Sequence, residues 1–204
     1  MVLLADLPLW RDDTLSSWEQ ALATYDRAIA ALPNGKLPAH DVWYRHELPA
    51  LVHARAPMHV THDEMVRITE WKMARGVWRA PNLVLVRNNP SGAVEAATAR
   101  ASALLDNTAK AVAAVSALGG VGPATASAVL AIMAPDRFPF FDEIVTGQVA
   151  PHVEGMGTIA WTAPYYRKYV AALTARAAAL ANGWHATMVE RALWAHGVHA
   201  GARV

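Results

Sequence analysis

Three groups of residues in this chain have the types and spacing to do chemistry. The first is an acidic pair, Asp142 and Glu143, directly after the aromatic run Phe138, Phe140 and Phe141. A carboxylate opening a helix can take up a proton, orient a water or stabilise a developing positive charge. The second is the turn Leu118-Gly119-Gly120-Val121-Gly122-Pro123, between two apolar stretches. Glycine at 120 and 122 permits positive φ and close approach to another surface, Val121 can anchor the turn, and Pro123 suits the first turn of a new helix. The unpaired amides beyond it, at Ala124 and Thr125, then face outward beside the glycines and suit an anion such as a phosphate. The third is a stretch without acids, Trp71 to Val94, that holds Lys72, Arg75, Arg79 and Arg87. If the helix continues past Gly76, Lys72, Arg75 and Arg79 share a face that can meet phosphates.

Each group also has a plain structural reading. Asp142 fits an ordinary N-cap, the glycine turn fits a simple helical corner, and the basic face fits a solvated surface. Trp43, Tyr44, Trp71, Trp78, Phe140 and Phe141 can receive a flat ligand or simply fill a helical core. Glu70, beside Trp71, is placed to meet a polar ligand edge or assist protonation, or lies on the surface. Glu143, about 100° further round a helix, ranks behind Asp142. The histidine pairs His59/His62 and His196/His199 have no carboxylate at ligand spacing, so no zinc site is assigned.

Totals narrow the classes. The 204 residues suffice for one domain with a real core, and the alanine-rich, apolar composition favours helix. The absence of cysteine excludes disulfides, thiolate metal sites and a cysteine nucleophile, and suits a reducing cytoplasm. A net charge of +1 provides no global field for a polyanion, so local amides or patches must hold one. No apolar run reaches membrane-spanning length, and MVLLADLPLW lacks a basic start and carries Asp6, so it is a poor signal peptide.

The elements that must position these groups all read as helices. Thr14 or Ser16 opens one bearing Leu15, Trp18, Leu22, Tyr25, Ile29 and Leu32, closed by Pro33-Asn34-Gly35. A second starts near His40-Asp41 and bends or stops at Pro49. Thr61 and Glu64 form a capping box for a helix ending at Gly76. Residues 81–86 are ambiguous between a strand and a short buried helix; with no partner strand evident, the helix is preferred. Two alanine-rich helices follow, split near Asp106-Asn107. The hairpin occupies residues 110–133, a loop spans 151–163, and two helices, Pro164 to Ala181 and Ala186 to His196, close the chain around Asn182-Gly183. The closing helix reads as an apolar surface around Glu190 and Arg191. Residues 1–204 therefore read as one all-α domain.

The sequence Leu118 to Ala126, LGGVGPATA, resembles the hairpin of the helix-hairpin-helix DNA glycosylases, the superfamily that includes endonuclease III. Asp142 stands about 20 residues after Gly122, the offset of that family's catalytic aspartate. The likeness is specific over residues 115–147; the segment Trp71 to Arg79 is similar to one in an uncharacterised branch. It implies two intimate helical lobes with a cleft between them, and a monomer acting on double-stranded DNA in the cytoplasm, at the nucleoid. It implies hydrolysis of the N-glycosidic bond of a flipped-out base, with Asp142 stabilising the oxocarbenium-like sugar and orienting water. The hairpin amides of Gly120, Val121, Gly122, Ala124 and Thr125, with Arg75 and Arg79, would hold phosphates. Lys72, Glu70, Trp71, Phe141, Trp43 and Tyr44 become pocket or catalytic candidates. Backbone carbonyls at Leu118 and Gly120 would hold a sodium or potassium ion. There are departures. Ala124 stands where bifunctional members carry the Schiff-base lysine, leaving Lys72 as the one amine to test. Gly119 replaces the usual proline, and without cysteine there is no iron–sulfur cluster. Modified viral DNA and damaged cellular DNA are both open as targets. A binding module that kept the hairpin and lost the chemistry is the rival reading; it would bind DNA and release no base. A helical scaffold would bind no DNA in a salt-dependent way.

Overall fold

A computed structural model describes residues 8–180 and 183–201. Among them all regular structure is helical. The reading of residues 1–7, and the Ala181 and Asn182 ends of the last connection, lie outside the described residues. A 3₁₀ turn at Leu9–Arg11 leads into α1 (Leu15–Ala23) and α2 (Tyr25–Ala31). These divide what the periodicity presents as one helix. The Thr24 hydroxyl donates to Ala21 O at 2.7 Å, a local bond that competes with the helical ladder.

The next helix begins earlier than expected. It comprises α3 (Leu37–Val42), with Pro38 in its first turn, a π-helical segment at Trp43–Glu47, and α4 (Leu48–His53). Pro49 does not stop it. The widened segment precedes the proline, and Pro49 then sits in a first turn, where its missing N–H leaves no bond unmade.

Then follow α5 (His62–Arg75), α6 (Ala80–Arg87), α7 (Ser91–Ser102), α8 (Thr108–Ser116), α9 (Pro123–Met133), α10 (Glu143–Val149), a 3₁₀ turn at Ala150–His152, α11 (Ala163–Leu180) and α12 (Ala186–His199). The capping box at Thr61 and Glu64 is present, and α5 ends at Gly76. Helix α6 is one-sided rather than buried: Leu83 and Val86 face the core, while Val84 and Leu85 are exposed.

The core centres on α9, which is buried at every position from Thr125 to Met133 and packs against α4, α5, α7 and α8. An all-round apolar helix belongs in such a place. Helix α12 is the second buried element, against α1, α2, α10 and α11. Between α9 and α10 the Phe138–Phe141 run crosses the interior without a strand partner. Side-chain groups satisfy its backbone. Phe141 N donates to Ser127 Oγ at 2.9 Å, Tyr166 OH to Pro139 O at 2.9 Å, and Tyr169 OH to Phe140 O at 2.8 Å. These bonds fix where Asp142 begins α10.

The α8–α9 hairpin is held by α6. Leu118 and Val121 are buried. Asn89 clamps Gly119 from both sides, accepting its N–H at 2.8 Å and donating to its carbonyl at 2.9 Å. The two glycines that sequence treats alike differ. Gly120 has φ +75°, and a Cβ there would lie 2.4 Å from Asn82 O and 3.0 Å from Val86 N, so this glycine faces α6. Gly122 has φ −92° and open space about it. Gly120→Ala is therefore expected to lose about 2–5 kcal/mol, from the left-handed conformation and the clash together. Gly122→Ala should leave stability within about 0.5 kcal/mol. Chemical denaturation of both variants checks this, and equal losses would contradict it.

Candidate functional site

Asp142 is the N-cap of α10, and its two oxygens divide their work. Oδ1 accepts from Ile144 N at 2.8 Å and Val145 N at 3.2 Å. Oδ2 lies 3.7 Å from Arg75 Nε. The capping role and a chemical role are thus compatible in one side chain. Burial pushes the carboxyl up to about pKa 6; Arg75 and the two amides pull it back, and the nearby Glu190 adds to the rise. Burial therefore outweighs the helix N-terminus, a contest the sequence leaves open.

Asp142 opens on a cavity of about 390 Å³, within the range of small-molecule clefts, about 300–1,000 Å³. The hairpin lines the same cavity, at Gly122, Pro123, Ala124 and Thr125. No side chain caps α9, and the first-turn amides of a helix have no intrahelical acceptor. Lys72 and Arg79 supply positive charge, and Phe140, Phe141 and Trp161 supply aromatic surface. Burial, then the neighbouring Arg79, lowers the Lys72 pKa, and Asp142 partly restores it. The acid and the hairpin, 20 residues apart in sequence, share one cavity.

Behind Asp142 lies a buried ionic network. The fully buried Arg75 pairs with Glu190 Oε1 through Nη2 and stacks its guanidinium 4.3 Å from the Trp194 ring. Arg45 Nη2 reaches Glu190 Oε2 at 3.2 Å, and Arg45 Nε lies 3.9 Å from Asp41 Oδ1. Asp41 also accepts from Tyr25 OH at 2.9 Å and Trp71 Nε1 at 2.8 Å. Charges this deep persist only when paired.

Several expectations are corrected by this arrangement. Arg75 is not a phosphate contact: its side chain has no exposure and is committed to Glu190 and Asp142. Lys72, Arg75 and Arg79 do not share a helical face, because α5 stops at Gly76 and Arg79 precedes α6. Trp71 and Tyr44 receive no ligand; their rings stack on each other at 3.6 Å inside the core. Trp43 is also buried, under Arg67 at 4.0 Å. Glu70 pairs with Arg87 at 2.7 Å, away from the cavity. Gly120 turns toward α6, which leaves Gly122 and the residues after it as the hairpin's open face. Val121 is buried. Phe141 does line the cavity, packed on Trp161, Tyr165, Tyr166 and Tyr169. Glu143, ranked behind Asp142, lines it too.

Sequence reasoning missed Glu190, Trp161 and Asn82. Glu190 is fully buried on α12 rather than part of its surface; an acid among apolar helix positions, with unmatched arginines elsewhere, is the signal that could have found it. Trp161 sits in an irregular loop that has no period to read. Of the two carbonyls implied to hold a monovalent cation, at Leu118 and Gly120, Leu118 O accepts from Val121 N at 3.2 Å; the neighbouring Gly119 O accepts from Asn89 Nδ2. Among the described residues no group of three or more His, Cys, Asp or Glu converges to hold a metal, and no helix is long and apolar enough to cross a membrane. His62, His196 and His199 each engage a protein oxygen within 3.1 Å. Comparison with family models, curated proteins and solved structures returned no match.

Proposed function

We propose that the chain is a monofunctional DNA glycosylase of the helix-hairpin-helix kind, built as two helical lobes around the cavity that Asp142 opens on. One observation carries the reading: a buried carboxylate with an oxygen left over from capping shares a cavity with the uncapped first turn of the hairpin helix. The amides of Ala124 and Thr125, beside Gly122, hold a phosphate of one strand, aided by Lys72 and Arg79. The flipped base lies against Phe140, Phe141 and Trp161. As the glycosidic bond breaks, positive charge develops on the sugar, and Asp142 stabilises it and orients the attacking water. Asp142 is rigid because Oδ1 is tied to α10 and the preceding backbone to Ser127, Tyr166 and Tyr169.

Duplexes carrying alkylated, deaminated, oxidised or bulky modified bases, treated with alkali after incubation, test this directly. Release of one class should leave abasic sites that break only on alkali treatment, since Ala124 supplies no amine at the hairpin. Salt-dependent binding with no release from any duplex would leave a binding module instead.

The pH profile carries its own sign. Asp142 acts ionised, and its folded pKa stands near 6, above the ordinary 3.8. Single-turnover base release should therefore rise with unit slope below about pH 6 and level off above it. A profile flat from pH 5 to 8 would remove Asp142 from the chemistry.

A further inference from the structure

A second cavity, of about 530 Å³, lies between the Tyr44–His53 segment, the end of α9 and the start of α12, and shares no lining residue with the first. Its chemistry is one-sided. Arg45, Arg191, His46, His53 and His185 line it, and among its described lining residues there is no carboxylate. Three nitrogens on these residues are buried without a hydrogen-bond partner: Arg45 Nε, Arg191 Nε and His185 Nδ1. The Arg45 side chain is 6% exposed. Its Nη2 serves Glu190 and Tyr25, but Nε has only a distant carboxylate, Asp41 at 3.9 Å. Arg191 reaches Asp26 only at 3.9 Å and otherwise rests its guanidinium 4.3 Å from the Tyr25 ring. A buried donor without an acceptor is a standing cost, and a donor on a cation more so. His53 and Thr187, by contrast, are spoken for, with His53 Nε2 3.0 Å from Ile132 O and Thr187 Oγ1 2.7 Å from Pro135 O. Ile132, Pro135 and Pro49 form an apolar floor beside the cations.

We propose that this cavity binds a small organic oxyanion, a phosphate ester or carboxylate with a compact apolar body. The oxyanion engages Arg45 and Arg191, supplying the acceptors that their Nε groups lack, and His185 lines the same cavity. The apolar body covers Ile132, Pro135 and Pro49. Two guanidiniums suit a tetrahedral or planar oxyanion through directed N–H groups. This site is independent of the glycosylase reading.

Calorimetric titration of the whole chain with phenyl phosphate, inorganic phosphate and phenol tests it. Phenyl phosphate should bind saturably and raise the melting temperature, inorganic phosphate more weakly, and phenol not at all below about 10 mM. Arg191→Gln and, independently, His185→Gln should each weaken phenyl phosphate about tenfold or more. Lys110→Gln, exposed and in neither cavity, should leave it unchanged. The proposal is overturned if phenyl phosphate does not saturate, if phenol binds as well, or if Arg191→Gln and His185→Gln bind phenyl phosphate as tightly as the parent.

Discussion

Asp142→Asn is expected to slow base release by about 10²–10⁴-fold, the span that a positioned acid–base or charge-stabilising group contributes. The affinity for duplex DNA should change by no more than a few-fold, because the proposed phosphate contacts are with the hairpin, Lys72 and Arg79, which line the same cavity. The substitution is informative because it spares the fold. Asn is as good an N-cap as Asp, so the amides of Ile144 and Val145 keep their acceptor. The buried charge disappears, and that charge is disfavoured in the folded state, as the upward pKa shows. Ionising Asp142 opposes folding increasingly from pH 3.8 toward about 6, so at neutral pH the Asn variant should melt no lower than the parent. Single-turnover kinetics, a binding isotherm at fixed salt and a melting curve read the three quantities separately. Release within tenfold of the parent would remove the catalytic role; a parallel loss of binding would make Asp142 a contact instead.

Glu190→Gln should produce the largest loss of stability. It leaves Arg75 and Arg45 facing a neutral amide in the buried interior. Breaking a buried pair from one side costs about 3–5 kcal/mol, which for a chain of this size lowers the melting temperature by about 6–20 °C. Glu70→Gln is the matched control. That acid also pairs with an arginine, at 2.7 Å, but Arg87 is half exposed, and such pairs contribute about 0–1 kcal/mol. Similar losses in the two variants would show that Glu190 is not the keystone of the interior. In the Glu190 variant one negative charge that raises the Asp142 pKa is gone, so the pH midpoint of base release should also move down.

Much of this arrangement was legible locally. Thr61 with Glu64, the Gly-Pro turn before α9 and the aspartate opening α10 are signals written within four residues of the structure they make. The resemblance over residues 115–147 implies that Gly122 and Asp142 share one site, and the two line one cavity at either end of the segment that holds the buried rod α9. What sequence hid is long-range. Arg75 looks like any arginine in a basic stretch, and its partner Glu190 lies 115 residues away. The stop at Gly76 was visible, yet extending the 72–75–79 periodicity through it produced a phosphate face that the chain does not have. Trp71 and Tyr44 were plausible ligand plates on type alone; their stacking on each other is a packing outcome that no spacing encodes. Nor does composition separate Gly120 from Gly122, which differ only in what α6 brings against them.

The ionic network is unbalanced. Two guanidiniums, Arg45 and Arg75, stand against three carboxyls, Asp41, Asp142 and Glu190, and of the five only Asp142 opens on the first cavity. Lys72, which lines the same cavity and whose charged form Asp142 favours, supplies the third positive charge. Lys72→Gln should therefore raise the Asp142 pKa and move the pH midpoint of the proposed base release upward, which the single-turnover profile reads directly.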